Sequence, residues 1–488
     1  MGNIFRKEDK EWYDKIKASQ VVVIIVGAYV LYLVAGFIVW KCKNIHNKSE
    51  AKRLRQERDS KTFKFGAVSK DKQDIMANAD VTQLREHLIR GTFTSVDLVN
   101  FFGERTQRLG RELKLSTEEM FETAMEQAKR CDLERQEAIR NNEESKLPFL
   151  HGIPVSIKEL FDMKGKTSTV GCAMLSYKRE KDSACVTPLL DAGAIPIVRG
   201  NVPQAALSIH TENLVWGTAE NFYDRSRSCG GSSGGDGGLV AARCVPIALG
   251  SDIGGSIRMP STFNGVTGFK PTQGRISNKG MNDARLTEFT LNSGHFKAVA
   301  GPLAHSANDC VEFFKLQCVQ NAHLRDPFIS PLPFNQEMFD LTLENKPKVG
   351  MLVETPILQV SKSVKRAMAI ARKALQEEGY EVVDVNITPE EFAEGRNLLI
   401  GMVATGGGPG TMRDFERSGE QTMFSVWMNF FLLSRSSCTQ WILKKLMVAI
   451  GMGRGATMLT EFNMKKEEQF ELLMKRRYDF AYKMSEKW

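Results

Sequence analysis

Nine of the 40 glycines fall in the 27 residues from Gly230 to Ser256. Such a density implies backbone freedom or close backbone approach, and it encloses an apolar, strand-like run, Val245–Leu249 (VPIAL). Flexible polar linkers do not wrap a strand of that kind. Neither G-x-x-x-x-G-K-[ST] nor G-x-G-x-x-G occurs here, so a phosphate-cradling loop is unsupported. The stretch reads as a functional turn packed against a sheet.

The surrounding chain supplies that sheet. Gly152–Lys158 (GIPVSIK) alternates so that Ile153, Val155 and Ile157 share one face and Ser156 and Lys158 the other. Further strand-like runs at Ala194–Val198, Val245–Leu249 and Lys348–Leu352 alternate with helical stretches, the pattern of an α/β sheet covered by helices. Helical periodicity begins at Val81, Leu84 and Leu88, stops at Gly91, and resumes after Thr94, where T-S-V-D reads as a capping box. A further helix is predicted from Thr117 to about Arg140, with Pro148 ending the connection that follows.

Two serines of the glycine stretch compete for a nucleophile's place. Residues 231–235 match G-x-S-x-G and offer Ser233, but a nucleophile elbow needs an apolar strand directly upstream, and YDRSRSCG stands there instead. Ser256 is better placed, because Val245–Leu249 leads into G-S-D-I-G-G-S and sets it past a strand's carboxyl end. Gly254 and Gly255 leave the amides of Ile253, Gly254, Gly255 and Ser256 open to converge on an oxyanion. Taken singly, Ser256 reads as a turn residue and Lys158 as a solvated strand lysine. Asp236 and Glu159 read as structural or solvent-facing rather than catalytic.

Charge argues against nucleic acid. Residues 1–60 carry 12 Lys/Arg against 7 Asp/Glu, which accounts for five of the net eight positive charges and leaves the remaining chain nearly neutral. The nine cysteines are scattered without a C-x-x-C pair, so neither a disulfide framework nor a zinc cluster follows. The seven histidines include no H-E-x-x-H, which leaves metal-assisted hydrolysis unsupported. No metal and no cofactor are expected.

Val21–Trp40 is a run of 20 residues without a charge, about 30 Å as a helix and so roughly one hydrocarbon core. Tyr29, Tyr32 and Trp40 punctuate it and charges close both ends, as in a transmembrane helix; it is too long for a signal peptide's apolar region and no small-x-small cleavage site follows. Seven Lys/Arg follow the span and five precede it, which favours the cytosolic side for the body; an endomembrane is the expected location. Gly2 lacks the downstream Ser or Thr of a myristoylation site, and Cys42 reads as an unmodified thiol.

GIPVSIK around Lys158, GGSSGG at 230–235, SDIGGSIRMPS at 251–261, GFKPT at 268–272 and GPLAHS at 301–306 together resemble the amidase signature family over roughly residues 81–352. Ser232 and Ser256, 24 residues apart, also match its spacing. The resemblance implies a mixed central sheet with helices on both faces, and a Ser-Ser-Lys triad of Ser256 as nucleophile, Ser232 as proton shuttle and Lys158 as terminal base. It also implies supporting roles for Asp252, Arg258 and Ser233, and a cis peptide between Gly231 and Ser232. The chemistry is coherent: a lysine is a base only when neutral, and burial with few counterions favours that form. The relay can then return the proton to the leaving nitrogen.

The predicted organisation is a polar segment at 1–20, a transmembrane helix at 21–40, a charged linker at 41–75 and an amidase signature domain at 76–488. Within the last, two apolar runs, Phe424–Leu433 and Trp441–Ile450, are each too short to span and read either as a membrane-binding cap at 423–450 or as buried core helices. The N-terminal span, NVPQ at 201–204 and PLPF at 331–334 are most similar to fatty acid amide hydrolases. That likeness implies hydrolysis of fatty acid amides, of N-acylethanolamine or primary amide type, through an acyl-enzyme. A lipid-like amide and a bilayer are then the partners, nucleic acid is not, and the family allows a homodimer. A general amidase for small soluble amides is the alternative. Because the chain stops at Trp488 where the family continues into further core elements, a catalytically inactive membrane-bound relative is a third expectation.

Overall fold

Three of the four strand-like runs become the centre of one six-stranded sheet. The computed structural model describes residues 7–282, 298–319, 322–356, 359–405, 408–426, 441–442, 445–446, 449 and 467–487. In chain order the strands are β1 (Ser116–Glu119), β2 (Pro154–Lys158), β3 (Ile195–Gly200), a short hairpin β4 (Glu212–Asn213) and β5 (Gly217–Thr218), β6 (Ile247–Asp252), β7 (Thr267–Gly268) and β8 (Val299–Ala304). The sheet order is β1-β3-β2-β6-β8-β7. β2 runs parallel to both β3 and β6, while β1, β8 and β7 pair antiparallel, so the sheet is mixed.

Every residue of β2, β3, β6 and β8 is buried. The alternation in β2 therefore separates two covered faces rather than a core face from water, as the parallel centre of a sheet requires. The covering helices in chain order are α1 (Lys7–Ser60), α2 (Lys70–Asn78), α3 (Val81–Ile89), α4 (Ser95–Arg105), α5 (Phe121–Arg140), α6 (Thr187–Asp191), α7 (Gly234–Ala241), α8 (Arg258–Asn264) and α9 (Ala307–Gln317). α5 packs on β3, α9 on β8, and α7 on β2, β3 and β6. Asp80 with Gln83 caps α3 reciprocally, and Thr94 with Asp97 caps α4 as the T-S-V-D pattern predicts.

Two expectations change. The helix predicted from Thr117 starts at Phe121, because Ser116–Glu119 is taken up as an edge strand on β3 and the Met120 amide donates to the Ile197 carbonyl at 3.0 Å. Sheet pairing satisfies backbone groups that an early helical turn would leave without partners.

The charged linker predicted at 41–75 is, as far as Ser60, the continuation of α1, and α2 occupies its last residues. Ion pairs Glu50–Arg53, Arg53–Glu57 and Glu57–Lys61 run along its surface at helical spacing. Ala51 and Leu54 pack with Ala173, Val215 and Trp216. The Asn44 and Asn47 amides donate to the Gly419 and Ser418 carbonyls at 3.0 and 3.1 Å, and the Arg58 guanidinium donates to the Ser116 carbonyl at 2.7 Å. The first part of α1 is different: its apolar residues, Leu31 and Phe37 among them, are exposed, and this helix is long and apolar enough to cross a membrane.

Beyond the sheet lie α10 (Gln336–Glu344), β9 (Val349–Met351), α11 (Lys362–Glu377), β10 (Val382–Asp384), α12 (Pro389–Thr405) and α13 (Gly408–Ser418). β9 fulfils the strand expected at Lys348–Leu352 and pairs with β10 in a separate two-stranded parallel sheet. The helix Glu467–Lys487 packs on α12 through Leu398, Met402, Leu473 and Met474. The candidate cap at 423–450 lies largely outside the described residues.

Candidate active site

Lys158 ends β2 and is fully buried. Its Nζ donates to Ser232 Oγ at 2.8 Å and to Ser251 Oγ at 2.9 Å. The register Ile157↔Leu249 places the lysine beside the carboxyl end of β6, and Lys158↔Gly200 sets it against the end of β3. This is the edge at which open α/β sheets gather ligands.

Ser232 precedes α7, and the Gly231–Ser232 peptide is cis. The helix reaches the sheet because its first turn is nearly bare: a Cβ on Gly235 would lie 2.0 Å from the Asn201 amide nitrogen. Ser233 clamps this loop to the turn that carries Ser256. Its amide donates to the Ser256 carbonyl at 3.1 Å, its hydroxyl donates to the Ser251 carbonyl at 3.2 Å, and the Ser251 amide donates to its Oγ at 3.3 Å. The literal G-x-S-x-G serine thus sits at a helix start, with no strand leading directly into it. Ser256 is buried beside it, and among the described residues no hydrogen bond joins the Ser232 and Ser256 hydroxyls; the link between them is the main-chain clamp.

Asp252, at the end of β6, organises the turn. One carboxylate oxygen accepts from the Gly255 amide at 2.8 Å and the other from the Ile257 amide at 3.1 Å, and the Arg258 guanidinium donates to both at 2.9 and 3.0 Å. Burial works to raise the Asp252 pKa, but the Arg258 guanidinium and the two amides outweigh it and hold the group at about 2. Of the four oxyanion donors expected from the sequence, one is drawn into this network. The Gly255 amide is already engaged, which leaves Ile253, Gly254 and Ser256 as the amides that this carboxylate does not take.

Burial pulls the Lys158 ammonium down to about 7, with Asp236 and Asp252 opposing. A neutral amine has two N–H donors and one lone pair; with an N–H on Ser251, the lone pair can face the Ser232 hydroxyl. Sequence reasoning did not single out Ser251. Its only signal was its place in S-D-I-G-G-S, and its contact with Lys158 depends on the β2–β6 register.

Asp236 and Glu159, expected to be structural or solvent-facing, are both fully buried, because β2 is covered on each side. Glu159 accepts from the Thr169 amide at 2.8 Å and hydroxyl at 2.6 Å, and Asp236 accepts from the Ser156 hydroxyl at 2.7 Å. Burial raises both carboxyl pKa values.

Known structures share the architecture. The chain superposes on a fatty acid amide hydrolase with a TM-score of 0.66 at 20% identity, covering 84% of this chain and 76% of that one. It superposes on the peptide amidase of Stenotrophomonas maltophilia with a TM-score of 0.59 at 23% identity, covering 83% and 79%. At those identities the likeness speaks for the fold. Among sequences, an acetamidase of Aspergillus oryzae is 30% identical over 371 residues, 74% of this chain and 65% of that protein. Fatty acid amide hydrolase 1 of Caenorhabditis elegans is 30% identical over 378 residues, 74% and 62%. An amidase of Gibberella zeae is 31% identical over 330 residues, 67% and 58%. The chain thus spans less than two thirds of the length of each of these relatives. The amidase family model matches residues 97–484, and on that match, carried by a sheet of the same architecture, the chain belongs to the amidase signature family.

Proposed function

We propose that this chain is a membrane-bound serine hydrolase that cleaves fatty acid amides to a fatty acid and an amine. The observation that carries the reading is a fully buried amine, Lys158 Nζ, 2.8 Å from Ser232 Oγ. In the proposed sequence neutral Lys158 takes the Ser232 proton as Ser232 takes that of Ser256, and the Ser256 oxygen bonds the amide carbon. The carbonyl electron pair moves onto oxygen, held by amides of the 253–256 turn. The ammonium then returns its proton through Ser232 to the nitrogen as the C–N bond breaks, which spares the amine from leaving as an anion. Water repeats the relay to release the acid.

Asp252 with Arg258 holds the turn, and Ser233 ties the two serine segments together. The exposed apolar run at 21–40 and relatives described as fatty acid amide hydrolases support a lipid substrate met at a bilayer, and the seven Lys/Arg after that run against five before it favour the cytosolic side for the body. A second reading, a general amidase for small soluble amides, is favoured by acetamidases 30% and 32% identical over 74% of this chain, against 30% over 74% for the fatty acid amide hydrolase of Caenorhabditis elegans. The test is labelling of the full chain by a fluorophosphonate probe, followed by comparison of kcat/KM for a long-chain primary amide and for acetamide. Modification at Ser256 with preference for the long chain is expected. Preference for acetamide would install the second reading, and folded protein that resists the probe would remove both.

A further inference from the structure

Resting on that reading, the geometry points to one more group at the base: we propose that Asp236, seated on Gly200 opposite Lys158 and tethered by Ser156, is a positioning residue whose carboxylate stabilises the ammonium that Lys158 becomes on taking the Ser232 proton.

The placement is specific. Asp236 stands in the first turn of α7, and its carboxylate accepts the Ser156 hydroxyl two residues before Lys158 on the same face of β2. Gly200, the register partner of Lys158, clears the space: a Cβ there would lie 2.2 Å from Asp236 Oδ1 and 2.5 Å from Oδ2. Oδ2 is buried and has no hydrogen-bond partner among the described residues. A buried carboxylate oxygen without a donor is costly unless a charge stands near it.

The charged groups around it narrow the choice. From β2 comes Lys158 and from β3 Arg199; the Cys229 thiol lies before α7. Arg199 turns its terminal nitrogens to the carbonyls of Thr167, Glu159 and Phe161. Asp252 on β6 faces Lys158 as well, but Arg258 of α8 already pairs with it. β8 brings no titratable residue. Lys158 is therefore the cation whose charge changes during the relay with Asp236 as its counter-charge. No proton needs to reach Asp236: the Ser232 O–H bond breaks, an N–H bond forms on Lys158, and the new positive charge is met by the ionised form of Asp236, which the Ser156 hydroxyl favours against burial. Such a carboxylate makes Lys158 a stronger base while holding its proton up to higher pH.

The test is the pH profile of probe labelling at Ser256. In Asp236→Asn, which keeps an acceptor for Ser156, the plateau rate should fall about tenfold and the acid limb should move to lower pH by about one unit or more. A lowered plateau with an unmoved limb would show a merely structural group and overturn the proposal. If that variant does not fold, Ser156→Ala carries the test. It removes the bond that favours the carboxylate and should shift the limb the same way by less; an unmoved limb there also overturns the proposal.

The pair can also be read without the nucleophile. In Ser256→Ala protein, the pH dependence of the unfolding midpoint is followed with Asp and with Asn at 236, once with Lys158 intact and once with Lys158→Met. Folded Asp236 holds its proton more tightly than the unfolded chain does, so its contribution to stability is lost as pH rises from about 4 to about 7. Asn abolishes that loss. If the carboxylate faces the ammonium, the size of the loss depends on Lys158; equal losses in both backgrounds overturn the proposal. An unlabelled Ser256 together with a Lys158-dependent loss would sink the hydrolase reading and leave the ion pair standing.

Discussion

Two regions of the chain build parallel strand pairing, with opposite results. β2 and β3 are flanked by β6 and β1, and every one of their residues is buried. Among the described residues β9 and β10 pair only with each other, most of their residues are half-buried, and α11 between them buries nothing, with Val364 and Ile370 exposed. Lysines mark the contrast. Lys158, at the end of β2, has lost its water and with it much of its preference for a proton. Lys348, just before β9, sits in solvent and pairs with Glu381. The backbone motif is the same in both places, so it is the neighbours on each side that turn an ordinary amine into a candidate base.

That contrast can be broken by experiment. The largest expected effect is at Ser256: Ser256→Ala should lower amide hydrolysis by about 10⁴-fold or more, measured on protein whose circular dichroism is unchanged. A smaller loss would place the nucleophile elsewhere. Lys158→Ala should cost about 10²–10⁴-fold at acidic to neutral pH and recover in part as hydroxide replaces the base, whereas the intact chain should gain activity as pH rises through about 7 and its amine becomes neutral. Lys348→Ala should leave the rate profile where it was.

Next comes packing. Ile157→Ala, in the buried strand, should destabilise by about 2–5 kcal/mol in denaturant titration. Ile370→Ala, on the exposed face of α11, should stay within about 0.5 kcal/mol. Similar costs at the two isoleucines would mean that the small parallel pair is as well covered as the large one.

Much of the central unit was legible. Alternation in GIPVSIK and the apolar VPIAL run place β2 and β6 to within two or three residues, and the glycine stretch between the serines does mark close backbone approach, as Gly235 against Asn201 shows. The meeting of Lys158 with Ser232 follows from motifs 74 residues apart that carry family resemblance, not from either residue alone. What stayed hidden depends on register or on distant partners. Ser251 touches the lysine only because β2 and β6 align as they do, and the Gly255 amide is lost to a carboxylate three residues away. The docking of α1 could not be read from its charged surface, since Asn44 finds its carbonyl 375 residues along the chain.

The unbroken run of α1 from its apolar stretch into the body has a geometric consequence. A flexible tether would let the body swivel; a helix bolted at Asn44, Ala51, Leu54 and Arg58 does not. If residues 21–40 lie in a bilayer, the rotation of that helix about its own axis decides which side of the body faces the lipid. One residue inserted after Trp40 would turn the whole body by about 100° and lift it by about 1.5 Å. The compass bearing of the Ser256 turn relative to the membrane is thus written in the residue count of a single helix.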